Sequence, residues 1–469
     1  MTPLRLALLE RHYRTEGLSQ NDAAKWLELL ADTWTKREEG RPLVELAPLK
    51  ELRGSTGEST TGGAAVAAAA SAVVSKSRSD LFTVIDAFDV PTWWYDPGKK
   101  MFVKPFENDS IMSSAEAKSA LFRHGEHFLL FGMLAQLEEG KLFIEDKAGS
   151  IELDFSTMAD KHTSVNGLFT ESCFALVDGF VEDGIFKVEE IGLPPPESRE
   201  QTRNAFPNVN LFGGPQSLRT EAQLRAIEVA NDNGIIVLSD VWLDKQETMD
   251  ALHMLFDGFS HSTPPIAFIF IGDFSSKPFV PGSGETVQYR DNMTALGQLI
   301  AGFPEIARKS HFVFVPGNND PWGQGALPKP PIAEFFTKRL GSRIANVSFT
   351  TNPCRIKYCT HEIVIFREDM LKRVRRNSVL PPTEGTEIVK HLVRTVIDQG
   401  HLCPLPQRIC PIYWAYDHAM RLYPIPDVLI LADRFDSYSI NYEGCHCINP
   451  GSFSSGDFSF FMYYPIPKK

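Results

Sequence analysis

The chain has 469 residues, of which 43% are hydrophobic, and it carries a formal net charge of −12. That length accommodates about three domains at ~150 residues each, and the apolar content excludes a globally disordered chain. The acidic balance argues against a generic nucleic-acid coat, because neutralising phosphates requires clustered Lys and Arg.

Seven cysteines in a chain of this size do not form a disulfide framework. The pairs Cys354/Cys359 and Cys445/Cys447 lack a second pair at zinc-finger spacing, so reduced, buried thiols are expected rather than zinc ligands. The first residues alternate charge with leucine and build no signal-peptide core. The longest apolar run, Ala64 to Val74, is Ala-rich and too short to span a bilayer. A reducing cytoplasmic or nuclear compartment and no membrane contact are expected.

Residues 1–50 open with leucine, alanine and tryptophan at helical spacing (Leu4, Leu8, Leu9, then Ala23, Trp26, Leu27, Leu30), with Ser19 and Asp22 placed to cap the second helix. A helical module is predicted there. Residues 51–79, rich in Gly, Ser, Thr and Ala without an apolar face, read as a linker, and 80–123 as a connecting segment. From 124 to 193 five short strand-like runs follow one another: FLLFGMLAQL, KLFIED, SIELDF, SCFALVDGFV and IFKVEEI. Five strands in so short a span predict a barrel of the OB type. Such barrels bind oligonucleotides through aromatic platforms and basic loops. This segment instead supplies Glu138, Glu139, Glu145, Asp146, Glu152 and Asp154, which repel phosphates and favour protein contact.

Beyond Pro194 to Pro196, across 194–469, apolar runs IIVLSD, PPIAFIFIGD, HFVFVPGNND, HEIVIFRED and PDVLILAD alternate with amphipathic stretches at Glu221–Ala230, Thr248–Phe256 and Ile388–Ile397. Runs of this kind are strands buried on both faces. The predicted fold class is therefore multidomain α+β: a helical module, an OB-type barrel and an α/β layered domain.

Four of these strands end in a polar residue, Asp240, Asp273, Asn318 and Asp433, and functional side chains of layered α/β folds gather past the carboxyl ends of strands. Their order resembles the calcineurin-like metallophosphoesterases, which read Asp-x-His, Gly-Asp-x-x-Asp, Gly-Asn-His-Asp and a late Gly-His-x-His and hold two metal ions. Here Trp242 stands for the first histidine, Ser276 for the second carboxylate and Asn319 for the third motif's histidine. The last motif falls on Ala432-Asp433-Arg434-Phe435, with both histidines gone. His401 remains as the candidate for an isolated histidine ligand, with a structural role as its simpler reading. Asp240, Asp273 and Asn318 alone do not complete two metal sites. The resemblance thus implies an inactive phosphoesterase domain without a cofactor, with Arg434 available to neutralise a leftover carboxylate. GDFSS and GNND nevertheless stay near the active pattern.

An OB barrel ahead of such a domain resembles the B-subunits of replicative DNA polymerases. The blocks SDVWLD (239–244), FVPGNNDP (314–321), TTNPCRIKYCTHEIVIFRED (350–369), GHLCPLPQRICPIYWAYDHAMRLYP (400–424) and CINPGSF (447–453) are similar to the epsilon branch of that family. The resemblance implies a nuclear, non-catalytic scaffold. It would hold the C-terminal region of the polymerase epsilon catalytic subunit and reach the replicative CMG helicase, through GINS, by its N-terminal helical module. The small histone-fold subunits would be indirect partners, and DNA contact weak or indirect. Two other functions stay open: a residual metal-dependent phosphoesterase or nuclease, and a single-strand-binding OB module.

The basic run Lys372, Arg373, Arg375 and Arg376 reads as a solvated helix face that could also touch DNA or an acidic partner. Trp93, Trp94 and Tyr95 are expected to anchor packing at a domain junction, and Trp414 and Tyr416 to lie in the core.

Overall fold

The computed structural model describes residues 81–96, 98–104, 127–146, 149–160, 165–231, 233–282, 284–323, 325–382 and 387–466. The helical module and linker expected over 1–79 lie outside these residues. The described residues fall in one compact unit, Ser77–Lys469.

The chain enters as β1 (Phe82–Asp86), followed by a small hairpin of β2 (Trp94–Asp96) and β3 (Met101–Val103). Next come β4 (His127–Glu138), β5 (Lys141–Glu145), β6 (Ser150–Asp154), the short α1 (Ser156–Asp160), β7 (Phe174–Glu182) and β8 (Ile185–Gly192). Strands β4 to β8 close into a barrel in the order β4-β5-β6-β8-β7, with α1 between its third and fourth strands, which is the OB arrangement. Its interior is filled by Leu134, Ile144, Leu153, Val177, Phe186 and Val188, among others. The five runs read from the sequence are these five strands.

The rest is a four-layered sandwich. Helices α2 (Arg199–Ala205) and α3 (Glu221–Ala230) lead in, each opened by a reciprocal capping box, Ser198 with Gln201 and Thr220 with Gln223. A five-stranded sheet follows, built on β9 (Ile235–Ser239), β10 (Ala267–Ile271), β11 (His311–Val315) and β12 (Val347–Phe349), which run parallel. Helices α4 (Gln246–Ser260), α5 (Glu285–Ala301), α6 (Pro304–Lys309) and α7 (Glu334–Gly341) cover one side of it. A six-stranded sheet contains β13 (Cys354–Tyr358), β14 (His361–Arg367), β15 (Val428–Ala432), β16 (Tyr438–Tyr442) and β17 (Cys445–Asn449), with α8 (Met370–Arg376) and α9 (Ile388–Gln399) on its outer side. The final strand, β18 (Phe461–Tyr463), pairs antiparallel with β9.

The continuous apolar runs are explained by this layering. In β9, Ile235 and Val237 face the core between the two sheets, whereas Ile236 and Leu238 face the helices outside. With both faces buried, the polar alternation of a half-exposed strand disappears. The segment read as a connection supplies the sixth strand of the second sheet: β1 pairs antiparallel with β13, Phe82 against Tyr358. Its five residues carry too little periodicity to separate a strand from an extended link.

Barrel and sandwich are bonded directly. Gly167 N donates to His391 Nδ1 at 2.9 Å, and Leu168 N to Thr395 Oγ1 at 2.8 Å, both acceptors lying on α9. Leu168 is buried in the sandwich core, and Val379 and Leu380 pack against the barrel core.

Three aromatic expectations are corrected. Trp414 is 81% exposed, because residues 414–420 form a surface 3-10 helix whose buried face is taken by Ala419 and Met420. Tyr416 is half-buried and meets Phe88 edge-on at 4.8 Å. Of the 93–95 cluster only Trp93 is partly buried and anchored, its Nε1 donating to Asn210 O at 3.2 Å, while Trp94 and Tyr95 lie exposed on the β2–β3 hairpin. All seven cysteines are free thiols, and every one but Cys359 is buried. Among the described residues no helix is long and apolar enough to cross a membrane.

Candidate functional site

The carboxyl ends of β9, β10 and β11 in one sheet and of β14 and β15 in the other meet at a single place. Two glycines allow it. A Cβ on Gly272 would sit 2.1 Å from Asp320 Oδ2 and 2.4 Å from Gly317 N, and one on Gly317 would sit 2.2 Å from Asp273 Oδ1. The loops after β10 and β11 therefore touch backbone to backbone, which no larger residue permits.

At that place Asp240 and Asp273 are both fully buried. Asp240 Oδ1 accepts from Asp273 N at 3.1 Å, and Asp273 Oδ1 accepts from Asn319 N at 2.7 Å. Between the two carboxylates lies a side chain that the motif comparison passed over. Arg367, the last residue of β14, is fully buried, its Nη2 2.9 Å from Asp240 Oδ1 and 3.5 Å from Asp273 Oδ2. Its Nε donates to Gly272 O at 2.9 Å and its Nη1 to Asp369 Oδ1 at 2.9 Å. Burial disfavours the guanidinium charge, but Asp240, Asp273 and Asp369 outweigh it and raise the pKa above its ordinary value. Arg434, half exposed, closes the site from outside: its Nη2 donates to Asp273 Oδ2 and its Nε lies 3.8 Å from Asp240 Oδ2.

Asn318 faces a second buried charge group. Its Nδ2 donates to Glu368 Oε1 at 2.9 Å, and its Oδ1 accepts from Lys329 Nζ. Lys329 lies 3.4 Å from Glu368, which also meets Arg373 Nη2 at 3.1 Å. Burial raises the Glu368 carboxyl, but Lys329 and Arg373 bring it below its usual range. Asp320 accepts from Phe274 N at 2.8 Å, Gly317 N at 2.7 Å and the Tyr289 hydroxyl at 3.0 Å. Burial, with Asp273 nearby, still pushes its pKa up to about 7.

The remaining motif positions stand as follows. Trp242 donates its backbone N–H to Ser454 Oγ at 2.8 Å, and its indole N–H meets no acceptor among the described residues. Ser276 is joined to Asp244 through both Oγ and its backbone N–H, the latter at 2.9 Å. Asn319 Nδ2 donates to Ser275 O at 3.2 Å. Asp433 turns toward α8, accepting from Leu371 N at 2.8 Å, and burial raises its pKa to about 6. Phe435 is 41% exposed, and its carbonyl accepts from Asn449 Nδ2 at 3.0 Å. His401 stands apart, paired with Asp417 at 3.3 Å and accepting from Cys403 N at 3.1 Å.

The donor set does not fit two metal ions. Asp240 and Asp273 already have a guanidinium between them. A divalent ion there would meet a fixed positive charge within hydrogen-bond distance of both ligands. Among the described residues no three His, Cys, Asp or Glu side chains are arranged to hold a metal. The arrangement supplies its own cation, Arg367, to these two carboxylates.

Arg367 was legible in one respect: HEIVIFRED is a fifth buried strand ending in polar residues, like the four that were singled out. Lys329, in the loop segment after β11, carries no comparable signal.

Two family models match the chain. One is that of the DNA polymerase alpha/epsilon B-subunits, over residues 235–439, and the other is the OB-fold domain of DNA polymerase epsilon subunit 2-like proteins, over 99–195. The chain is 39% identical over 447 residues to DNA polymerase epsilon subunit 2 of Bos taurus and 38% identical over 447 residues to that of Homo sapiens, covering 84% of each chain in both comparisons. To DNA polymerase epsilon subunit 2 of Drosophila melanogaster it is 34% identical over 380 residues, with 78% of this chain and 70% of the fly protein covered. With its barrel inside one matched region, strands β9 to β15 inside the other, and relatives 34–39% identical over most of its length, the chain belongs to the DNA polymerase epsilon subunit 2 family.

Proposed function

We propose that this chain is a non-catalytic scaffold subunit of DNA polymerase epsilon, built on a calcineurin-like phosphoesterase lobe whose metal site has become an internal ion cluster. The observation that carries this reading is Arg367, buried between Asp240 and Asp273 where catalysis would require a metal ion. A guanidinium in that position neutralises the carboxylates permanently and activates no water. What is left of the site ties the two sheets together.

In this reading the barrel and sandwich act as one body that holds the C-terminal region of the catalytic subunit. Their direct bonding through α9 supports it, since a two-lobed surface that does not flex loses less entropy on binding. Residues 1–50, on the 51–79 tether, carry the link to the GINS-containing CMG helicase in the nucleus. A tether of this kind raises local concentration without fixing geometry. Histone-fold subunits join indirectly, and DNA contact is weak or indirect.

Co-expression with the catalytic subunit tests the assignment. Stable co-purification is expected, and separate elution of the two chains contradicts it. Deleting residues 1–46 should spare that complex and weaken helicase attachment; unchanged helicase attachment overturns the tether.

A further inference from the structure

We infer that the outer face of β4 and β7 on the barrel is a docking surface for a polypeptide segment with apolar anchors flanked by Lys and Arg. In the register of these antiparallel strands Met133 faces Phe174, Phe131 faces Leu176, Leu129 faces Asp178 and His127 faces Phe180. Residues directly opposite share a face, so these side chains point out of the barrel, with Leu176 itself buried between the exposed rings and the rest of the chain. Phe131 and Phe174 are each 46% exposed, and their rings stack at 5.7 Å with 20° between planes. Neither ring fills the barrel, whose interior is occupied by the neighbouring Leu134, Ala175 and Val177.

The base of this platform is rigid. Gln399, at the end of α9, receives the Phe174 backbone N–H on Oε1 at 2.8 Å and donates from Nε2 to Phe174 O at 2.8 Å. The aromatic pair is thus held at the seam between barrel and sandwich, ready to meet a partner that touches both. Pre-placed aromatic anchors of this kind carry much of the affinity at protein interfaces.

Charge selects the partner. Residues 127–193 hold thirteen Asp and Glu against four Lys and no Arg. Two of those lysines are engaged: Lys141 lies 3.1 Å from Glu138 and 2.9 Å from Glu152, and Lys187 lies 2.6 Å from Asp154. On a basic barrel stacked phenylalanines would suit nucleobases. Here the surrounding field repels a phosphate backbone, and equally a second copy of the same face. It attracts a basic segment. This inference rests on the scaffold reading, because the partner sought is another chain of the polymerase complex.

The test compares full-length chains in binding to the polymerase epsilon catalytic subunit across a salt series. One variant is Phe131→Ser with Phe174→Ser, both side chains lying outside the core; the other is Glu145→Lys, opposite Met133 on the same face. The double variant should weaken binding about tenfold or more. Glu145→Lys should weaken it mainly at low salt. Wild-type affinity in both variants overturns the docking surface and leaves the scaffold reading standing. Failure of the wild-type chain to bind overturns both. Binding of an oligothymidylate that is lost in the double variant also overturns the inference, assigning the platform to nucleic acid.

Discussion

Arg367 Nη2 and Asp240 Oδ1 lie 2.9 Å apart with both side chains fully buried, one at the end of β14 and the other just past β9, so this ion pair links the two sheets. A buried pair of this kind contributes little relative to a well-packed apolar substitute, but removing one member leaves the other charged and without compensation. Arg367→Met is therefore expected to destabilise the protein by about 3–5 kcal/mol in chemical denaturation. Adding Asp240→Asn should restore part of that loss, because it removes the stranded charge. A double variant no more stable than Arg367→Met would contradict the pairing.

The contact between the loops after β10 and β11 gives a steric prediction. Gly317→Ala places a Cβ 2.2 Å from Asp273 Oδ1 and 2.8 Å from its backbone N. The loss should be about 2–3 kcal/mol. Gly258→Ala, at a position with open space around its Cβ, provides the comparison and should not be destabilising. Equal stability of the two variants would show that the loops do not abut.

Asp398 gives a prediction in pH. Burial raises its carboxyl from 3.8 to about 7, although the Tyr442 hydroxyl donates to it at 2.9 Å. The folded chain holds a proton that the unfolded chain releases. This group's contribution to stability is thus fully present below its unfolded value and is lost as pH rises through about 7. In Asp398→Asn that loss disappears, so Tm measured relative to wild type should climb between pH 5 and pH 8. A difference that stays flat or falls contradicts the raised value.

Gln399→Ala removes both bonds to the Phe174 backbone. Because that backbone is exposed to water, the expected cost is only about 1 kcal/mol. Hydrogen exchange should quicken at the Phe174 amide while the barrel interior stays protected. Protection unchanged at Phe174 would exclude the clamp.

These relationships were not equally legible in the sequence. The strands β9, β10, β11, β14 and β15 were, because burial on both faces leaves continuous apolar runs, and so were the five barrel strands between their turns. Asp240, Asp273 and Asn318 were located by their place at strand ends. β1 was not, since five residues on a sheet edge look like any extended link. Trp414 was misjudged because large aromatic side chains are usually buried, and only the three-dimensional path of residues 414–420 turns it outward. Arg367 was passed over because a motif comparison asks which ligands are missing, not which cation lies between the carboxylates that remain. Its partners are 127 and 94 residues away in the chain, and the pairing is a product of sheet order.

Metal content measured on the purified chain after incubation with excess manganese or zinc tests the account most directly. With Arg367 fixed between Asp240 and Asp273, neither metal should be retained near stoichiometry, and phosphoester hydrolysis should stay at background. Two equivalents of bound metal, together with hydrolysis abolished in Asp273→Ala, would contradict it.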